Sequence, residues 1–352
     1  MLLQGALQQQ QASLFRADQP RALVIVSRDS GSRRAVEFAN HLRQALPSGM
    51  VCQVPDAHGC WSLTPLLQLL ALEPRCTRTG EPPRVLVAGG DGTVSWAVDQ
   101  VWNAAAGTQL PVFGVLPYGT GNDLARALGW LRPPHSGSSA STPAEAVALL
   151  RVIEQAPAAP VDRWQLRVSS LHTAPRIMRW SNYLSIGFDA GVALAFDAAR
   201  RSSPSMFTTK AGNKAAYGFL GARDLATGSC HGLARSISVQ CDGRAVILPA
   251  GTRGLLLLNI SSFMGGVTPW RADRDSRHGD GLLEVVAHRG ALHLAAMQLG
   301  LDGGIPLGRA THVIISTTAD FPVQADGEPW MQAAASVLEV THAGVTRFAV
   351  SA

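Results

Sequence analysis

The stretch VLVAGGDGTVSWAVDQVW, residues 85–102, confines the possible folds of this chain more than any other segment. Val85, Leu86, Val87 and Ala88 form a short apolar, partly β-branched run, the pattern of a strand buried on both faces of a parallel sheet. Gly89, Gly90, Asp91, Gly92 and Thr93 follow at once, and Val94, Ala97, Val98 and Val101 then recur at helical spacing. Strand, glycine turn, helix is therefore the expected order. Glycines permit positive φ and let another molecule approach the backbone closely. Such a turn also aims amide N–H groups and the positive end of a helix dipole at one spot, which favours a phosphate there. Asp91 adds a condition, because a carboxylate repels phosphate unless a cation such as Mg2+ lies between them.

A second turn of the same kind occurs in LPYGTGNDLARALGW, residues 116–130, after the strand-like run Pro111 to Leu116 and before another helix, with Asn122 or Asp123 placed to cap it. Neither turn completes a dinucleotide fingerprint: Gly119 and Gly121 supply G-x-G, but Leu124 stands where the third glycine belongs. A G-K-[ST] phosphate loop is also absent from the sequence. Two phosphate-type turns on neighbouring strands, each with an acid beside it, point to a nucleoside polyphosphate and its metal. Around them, residues 21–130 alternate apolar strands (ALVIV, RVLVAGG, PVFGVLPYG) with helical stretches such as AVEFANHLRQAL. That alternation predicts a parallel α/β sheet with helices on both faces and its ligand crevice at the carboxyl ends of the strands. A Pro-, Gly- and Ser-rich loop, LRPPHSGSSAST, precedes a short helix over Pro143 to Gln155. From Val161 the chain turns to short β-like runs (WQLRVSS, NYLSIGFD, ARSISVQCDG, GLLLLNIS, GLLEVVAHR, HVIISTT), the texture of a sandwich-like second domain, interrupted by one helical insertion at about Lys210 to Leu225. The expected organisation is an N-terminal extension (1–20), an α/β nucleotide-binding domain (21–155) and a β-rich domain (156–352) whose last segment packs back on the first.

Composition narrows the class of function. Hydrophobic residues are 46% and charged residues 16%, a globular balance, and no apolar run approaches the roughly 18 residues that cross a bilayer. The first residues, MLLQGALQQQQ, lack the basic start of a secretory signal, so a cytoplasmic protein is expected. Cys52, Cys60, Cys76, Cys230 and Cys241 show no C-x-x-C spacing and are read as reduced thiols. The net charge of +5 suits acidic partners, but aromatics are only 6% and are not interleaved with basic runs, which argues against nucleic acid. The two lysines, Lys210 and Lys214, lie four residues apart in a chain otherwise rich in Arg. With Arg200, Arg201 and Arg223 they form a candidate cationic face for an anionic membrane.

These residues carry a resemblance. Gly89 to Thr93 and Pro117 to Arg126 resemble the two signature loops of the diacylglycerol kinase catalytic domain. Asp162-Arg163-Trp164, Asn182 to Gly187 with Asp189, Asn213-Lys214 with Tyr217 and Gly221, Asn259 to Gly266, Asp280 to Val285, and Val323 to Trp330 are similar, in order, to the accessory half of eukaryotic-type diacylglycerol kinases. The resemblance implies ATP-dependent phosphorylation of the free hydroxyl of 1,2-diacylglycerol to phosphatidic acid, with Mg2+, by a peripherally membrane-associated enzyme. It implies an ATP site formed by Ser30, Gly31 and Arg33, by Gly89, Gly90, Asp91, Gly92 and Thr93, and by Gly119, Thr120, Gly121, Asn122 and Asp123. It further implies catalytic residues Asp326, the general base, Glu328, its neighbour in the acidic cluster, and Asp91, facing the ATP phosphates, with Asp91, Glu328 and Asp280 as metal ligands. From the residues alone, Asp326-Gly327 also reads as the turn of a two-residue hairpin. The family's usual Asn-Pro-x-Ser-Gly-Gly loop is here Ser27-Arg28-Asp29-Ser30-Gly31-Ser32, followed by Arg33 and Arg34. Kinases of other lipids, sphingoid base or ceramide, and a homologue that binds without turnover are the alternatives.

Overall fold

The structure is a computed structural model and describes residues 22–28, 33–47, 49–56, 59–64, 66–67, 84–105, 110–132, 140–170, 173–202, 230–272 and 278–351. The chain divides into two compact units, residues 1–159 with 346–352, and residues 160–345.

The first unit is built on parallel strands β1 (Leu23–Ser27), β2 (Val51–Val54), β3 (Val85–Gly89) and β4 (Phe113–Pro117), in the order β2-β1-β3-β4. β1 and β3 are buried at every residue, which is why they read as continuous apolar runs instead of alternating ones. Its helices are α1 (Arg33–Ala45), α2 (Asp91–Ala104), α3 (Asp123–Ala127) and α4 (Pro143–Gln155). α2 buries Val94, Ala97, Val98 and Val101, the positions its sequence spacing had marked. α4 starts on a reciprocal cap: Thr142 Oγ1 accepts the Glu145 amide at 3.2 Å, the Glu145 carboxylate accepts the Ser141 amide at 2.8 Å, and Pro143 opens the helix. The last residues of the chain return to this unit. Phe348 pairs in parallel with Phe113 at the edge of β4, and Trp130 Nε1 donates to the Ala349 carbonyl at 2.8 Å. Because the chain passes from β1 out to β2 and comes back to β3, the strand order reverses between β1 and β3, the point where doubly wound sheets take their ligands at the carboxyl ends of the strands. The Gly89–Asp91 turn stands at that end of β3.

The second unit is a sandwich. One sheet contains β5 (Ala158–Ser170), β6 (Thr173–Trp180), β8 (Ile237–Cys241), β9 (Arg244–Val246), β13 (His312–Thr317) and β16 (Ser336–Ala349). The other is antiparallel throughout, β12-β11-β10-β7-β14-β15, from β7 (Tyr183–Gly187), β10 (Gly254–Leu258), β11 (Leu283–His288), β12 (Ile305–Ala310), β14 (Phe321–Ala325) and β15 (Glu328–Gln332). Trp164, Leu166, Val239, Val313 and Leu338 from the first sheet share one buried cluster with Leu184, Leu255, Leu257, Val285 and Val323 from the second. Along β10 the alternation is strict: Leu255 and Leu257 face the sandwich, and Leu256 and Leu258 face the opposite side. There α5 (Phe188–Ser202) and α7 (Ala291–Gln298) cover the sheet, and the one-turn α6 (Leu233–Ser236) precedes β8.

These helices correct the reading of the second half as strands with a single helical insertion. The run NYLSIGFD is a strand only to Gly187, whose φ of 104° turns the chain into α5. A Cβ at Gly187 would stand 2.4 Å from the Arg253 carbonyl oxygen, so glycine is required where β7 ends. The insertion at about 210–225 lies outside the described residues, as does Cys76; Cys52, Cys60, Cys230 and Cys241 are free thiols. Among the described residues, no helix is long and apolar enough to cross a membrane.

Asn259, just after β10, knots the second unit together. Its Oδ1 accepts Trp164 Nε1 at 2.9 Å, and its Nδ2 donates to the Asp162 carbonyl at 2.8 Å and to the Ser181 carbonyl. Asn259→Ala would strand these buried groups together, and we expect a loss of about 2–5 kcal/mol from unpaired polar atoms. Chemical denaturation of the variant against the parent measures it; a change under about 0.5 kcal/mol, the level of a surface substitution, would show the knot to be dispensable.

Candidate functional site

In the first unit the two glycine turns are joined through one side chain. Asp91 opens α2, yet its carboxylate accepts amides of the other turn: Oδ2 from Asp123 N at 3.1 Å and Oδ1 from Leu124 N at 3.0 Å. The cap of α3 is therefore Asp91, not Asn122 or Asp123; the Asn122 side chain makes no cap bond, because its Nδ2 is turned back to the Gly119 carbonyl at 2.8 Å. Asn122 takes the left-handed conformation at φ 53°, which its short polar side chain tolerates.

The glycines have another purpose than the one expected. None of Gly89, Gly90, Gly92, Gly119 and Gly121 has positive φ. What they provide is proximity. A Cβ on Gly119 would lie 2.3 Å from the Gly90 Cα, and a Cβ on Gly89 2.9 Å from the Thr93 Cβ. The Gly89 carbonyl accepts both Tyr118 N and Gly119 N at 3.2 Å, so the turns pack backbone on backbone. Gly90, Asp91, Gly92, Thr93, Thr120 and Gly121 remain partly exposed along this seam, while Gly119, Asn122 and Asp123 are buried. With Gly90 as its N-cap, the fourteen-residue α2 has no capping side chain at its start, which leaves its positive end open to an anion.

The acids of the seam converge. A Cβ on Gly121 would stand 3.2 Å from Asp91 Oδ2 and 3.4 Å from Asp123 Oδ2, and the buried Asn122 Oδ1, 2.8 Å from the Cβ position of Gly119, has no hydrogen-bond partner. Two carboxylates and an orphaned amide oxygen are hard oxygen donors of the kind Mg2+ takes, so the residues fit that ion. Positive charge reaches the same turn from α1. Burial pushes the Tyr118 hydroxyl up to about 12, opposed by the charge of Arg34, and the Tyr118 ring lies 5.8 Å from that of Phe38. Ser30, Gly31 and the Arg33 side chain lie outside the described residues.

In the second unit, Asp326 and Gly327 are the two turn residues of the β14–β15 hairpin, with φ of 49° and 87°, the geometry of a type I′ turn. Asp326 is 5% exposed. Its Oδ1 accepts the amides of Asn182 at 2.8 Å and Tyr183 at 3.2 Å, and its Oδ2 accepts Ser181 N at 2.9 Å. The carboxylate thereby clamps the β6–β7 turn to the hairpin, while Glu328 is exposed at the start of β15. The Asp280 carboxylate is paired with the Arg309 guanidinium, which also stands 3.4 Å from Glu284 Oε1. The neighbouring Gly281 amide is held by Asp162 Oδ2 at 2.7 Å, and Asp162 Oδ1 lies 2.8 Å from His342 Nε2. Of the cationic candidates, Arg200 and Arg201 close α5, with Arg201 paired to Asp197, and Lys210, Lys214 and Arg223 lie outside the described residues. Sequence reading missed Arg309, the hydrogen bonds of Asn259 and the cross-turn role of Asp91; a side chain's partner tens of residues away, or in another turn, leaves no periodic signal.

Gly119→Ala tests the seam. The new methyl would meet backbone, which cannot swing aside, so the turns must part; we expect a cost of about 1–3 kcal/mol in stability and a raised dissociation constant for ATP-Mg2+ by calorimetry. Parent-like values for both would show that the seam does not need close contact.

Comparison with known proteins agrees with this geometry. Residues 21–151 match the family described as the diacylglycerol kinase catalytic domain, and residues 179–329 the diacylglycerol kinase accessory domain. Diacylglycerol kinase 2 of Arabidopsis thaliana is 37% identical over 273 residues, a match covering 74% of this chain and 38% of that protein. Diacylglycerol kinase theta of Homo sapiens is 36% identical over 270 residues, covering 71% of this chain and 27% of that protein. The chain thus spans well under half the length of these curated relatives. The crystal structure of a diacylglycerol kinase from Bacillus anthracis str. Sterne shares the fold at a TM-score of 0.50 and 13% identity, over 96% of this chain and 98% of that one. With both domains matched in order, the chain belongs to the diacylglycerol kinase family.

Proposed function

We propose that this chain transfers the γ-phosphoryl group of ATP to the free hydroxyl of 1,2-diacylglycerol, giving phosphatidic acid, in peripheral association with a membrane. The observation that carries the reading is the single seam made from the two glycine turns by Asp91. Phosphoryl transfer asks for alignment and charge neutralisation more than covalent chemistry. The backbone from Gly89 to Thr93 and from Gly119 to Gly121 receives the phosphates, aided by the start of α2. Arg34, with Arg33, adds positive charge from α1. Asp91, Asp123 and the Asn122 amide oxygen would hold Mg2+, whose charge would offset that of the phosphates. Asp326 takes the proton of the acceptor hydroxyl as its oxygen bonds to phosphorus and the bond to ADP breaks. Three backbone donors fix that carboxylate in one orientation, the positioning a general base requires. Glu328, exposed beside it, is its acidic neighbour.

Labelled ATP with diacylglycerol, sphingosine and ceramide in mixed micelles tests the acceptor. Labelled phosphatidic acid is expected; a different labelled lipid would move the acceptor, and nucleotide binding without product would end the kinase reading. Asp123→Asn removes charge while leaving both Asp91 hydrogen bonds available. We expect it to raise the Mg2+ concentration needed for half-maximal rate by about tenfold, the scale of one charged contact of about 1.4 kcal/mol. An unchanged Mg2+ requirement would remove Asp123 from the metal site.

Asp326→Asn separates base from clamp. A carboxamide turns an NH2 toward amide donors, so we expect about 1–3 kcal/mol of lost stability together with a fall in kcat of about 10²–10⁴. Turnover above about a tenth of the parent, less loss than a general base accounts for, would leave Asp326 a clamp alone.

A further inference from the structure

α7 turns the wrong residues outward for a helix lying on a sheet. Its inner side buries Leu294 and Met297 with Leu256, Leu258 and Val286, as an amphipathic helix should. The opposite side carries Leu292, Ala295, Ala296 and Leu299, spaced as one helical face, and the following turn adds Leu301. Leu292 is 73% exposed, Leu299 74% and Leu301 77%. Single exposed leucines are ordinary, but three on one face of one helix and its turn form a patch that marks an interaction surface.

The rim of the patch is cationic. Arg289 is exposed just before the helix, where its amide donates to His293 Nδ1 at 3.1 Å. Arg271 lies against the turn after the helix: its Cδ is 3.1 Å from the Cβ position of Gly303, and its Nη1 donates to the Gly300 carbonyl at 3.4 Å. Asp302 is the only acid from Arg289 to Gly303, and it is engaged within its own turn, accepting the Gly303 amide at 2.8 Å and standing 3.4 Å from His293 Nε2. An apolar tip with a basic rim matches a bilayer with anionic headgroups. A second copy matches less well, because a two-fold contact would set the patch, arginines included, against itself.

We propose that this face docks the second unit on an anionic lipid surface, Leu292, Leu299 and Leu301 entering the boundary between headgroups and acyl chains while Arg271 and Arg289 meet lipid phosphates. The proposal rests on the reading of a bilayer-borne lipid as substrate. It concerns residues other than those assigned to the reaction.

Sedimentation of the full chain with phosphatidylcholine vesicles, with and without phosphatidylglycerol, tests it. The parent is expected to bind the anionic vesicles, more weakly as salt rises. The triple variant Leu292→Ser, Leu299→Ser, Leu301→Ser should lower the partition coefficient at least tenfold, a lower bound well inside what the full insertion of three leucyl side chains predicts. Its unfolding midpoint should stay at the parent value, since these side chains are exposed. The pair Arg271→Gln, Arg289→Gln should lower partition on anionic vesicles by about tenfold or more and flatten its salt dependence, leaving neutral vesicles unaffected. Unchanged partition in either variant, or a parent that does not bind vesicles, overturns the proposal. So does a triple variant that changes only its oligomeric state, because the face would then be a contact between copies. A short-chain diacylglycerol dissolved as monomers keeps the two readings apart. Both variants should phosphorylate it at the parent rate, and a parent inactive on it, with vesicle binding intact, would count against the kinase reading alone.

Discussion

The hydrogen bonds of the Asp91 carboxylate run to Asp123 N and Leu124 N, amides that begin a different helix on a neighbouring strand's turn. Bonds from a carboxylate to backbone amides are worth about 1.5–3 kcal/mol each, so one side chain adds materially to what the β3–β4 ladder does to register the two turns. That registration is possible only because nothing intervenes. Gly119 faces Gly90 at a separation no Cβ fits, and the Gly89 carbonyl takes two amides from the other side. The surface along this seam is therefore a property of the pair.

The second unit uses a carboxylate in the same way. Asp326 accepts three amides of the Ser181–Tyr183 segment, and Asn259 fastens that segment again from the far side through the Ser181 carbonyl. Asp162 holds the Gly281 amide, so three of the acids in family-like motifs are backbone clamps first. An acid whose carboxylate is held by the amides of a turn is already oriented for a base or a metal ligand. At Asp280 the carboxylate's partners are the Arg309 guanidinium and the Leu282 amide.

Much of the fold was legible because local periodicity survived into the structure. The buried runs of β1 and β3, the four inward positions of α2, and the Pro-led helix Pro143–Gln155 all carry their reason in their own few residues. β6, β9, β12, β14, β15 and β16 were not distinguished, since edge and sandwich strands of mixed exposure lack a clean alternation. α5 and α7 were taken into a strand-like texture because each is apolar on more than one side, α5 buried by the sheet and α7 bearing exposed leucines. The Asp326-Gly327 turn was legible as a hairpin, because D-G states its φ requirement locally; the three amides that its carboxylate holds were not.

By itself, then, the sequence determined what a few adjacent residues can settle: strand, glycine turn and helix, twice over, an acid at each turn, and a β-rich second half. Backbone sterics and hydrophobic periodicity act within a handful of residues, so they are written where they act. Only the tertiary structure decided what each acid touches. Asp91 reaches 32 residues along the chain, Asp326 reaches 145 residues back, Arg309 meets Asp280 across 29, and the Ala349 carbonyl comes back to Trp130 across 219. Such contacts follow from how strands are ordered in a sheet, and a carboxylate in a linear text carries no mark of which distant amide will neutralise it.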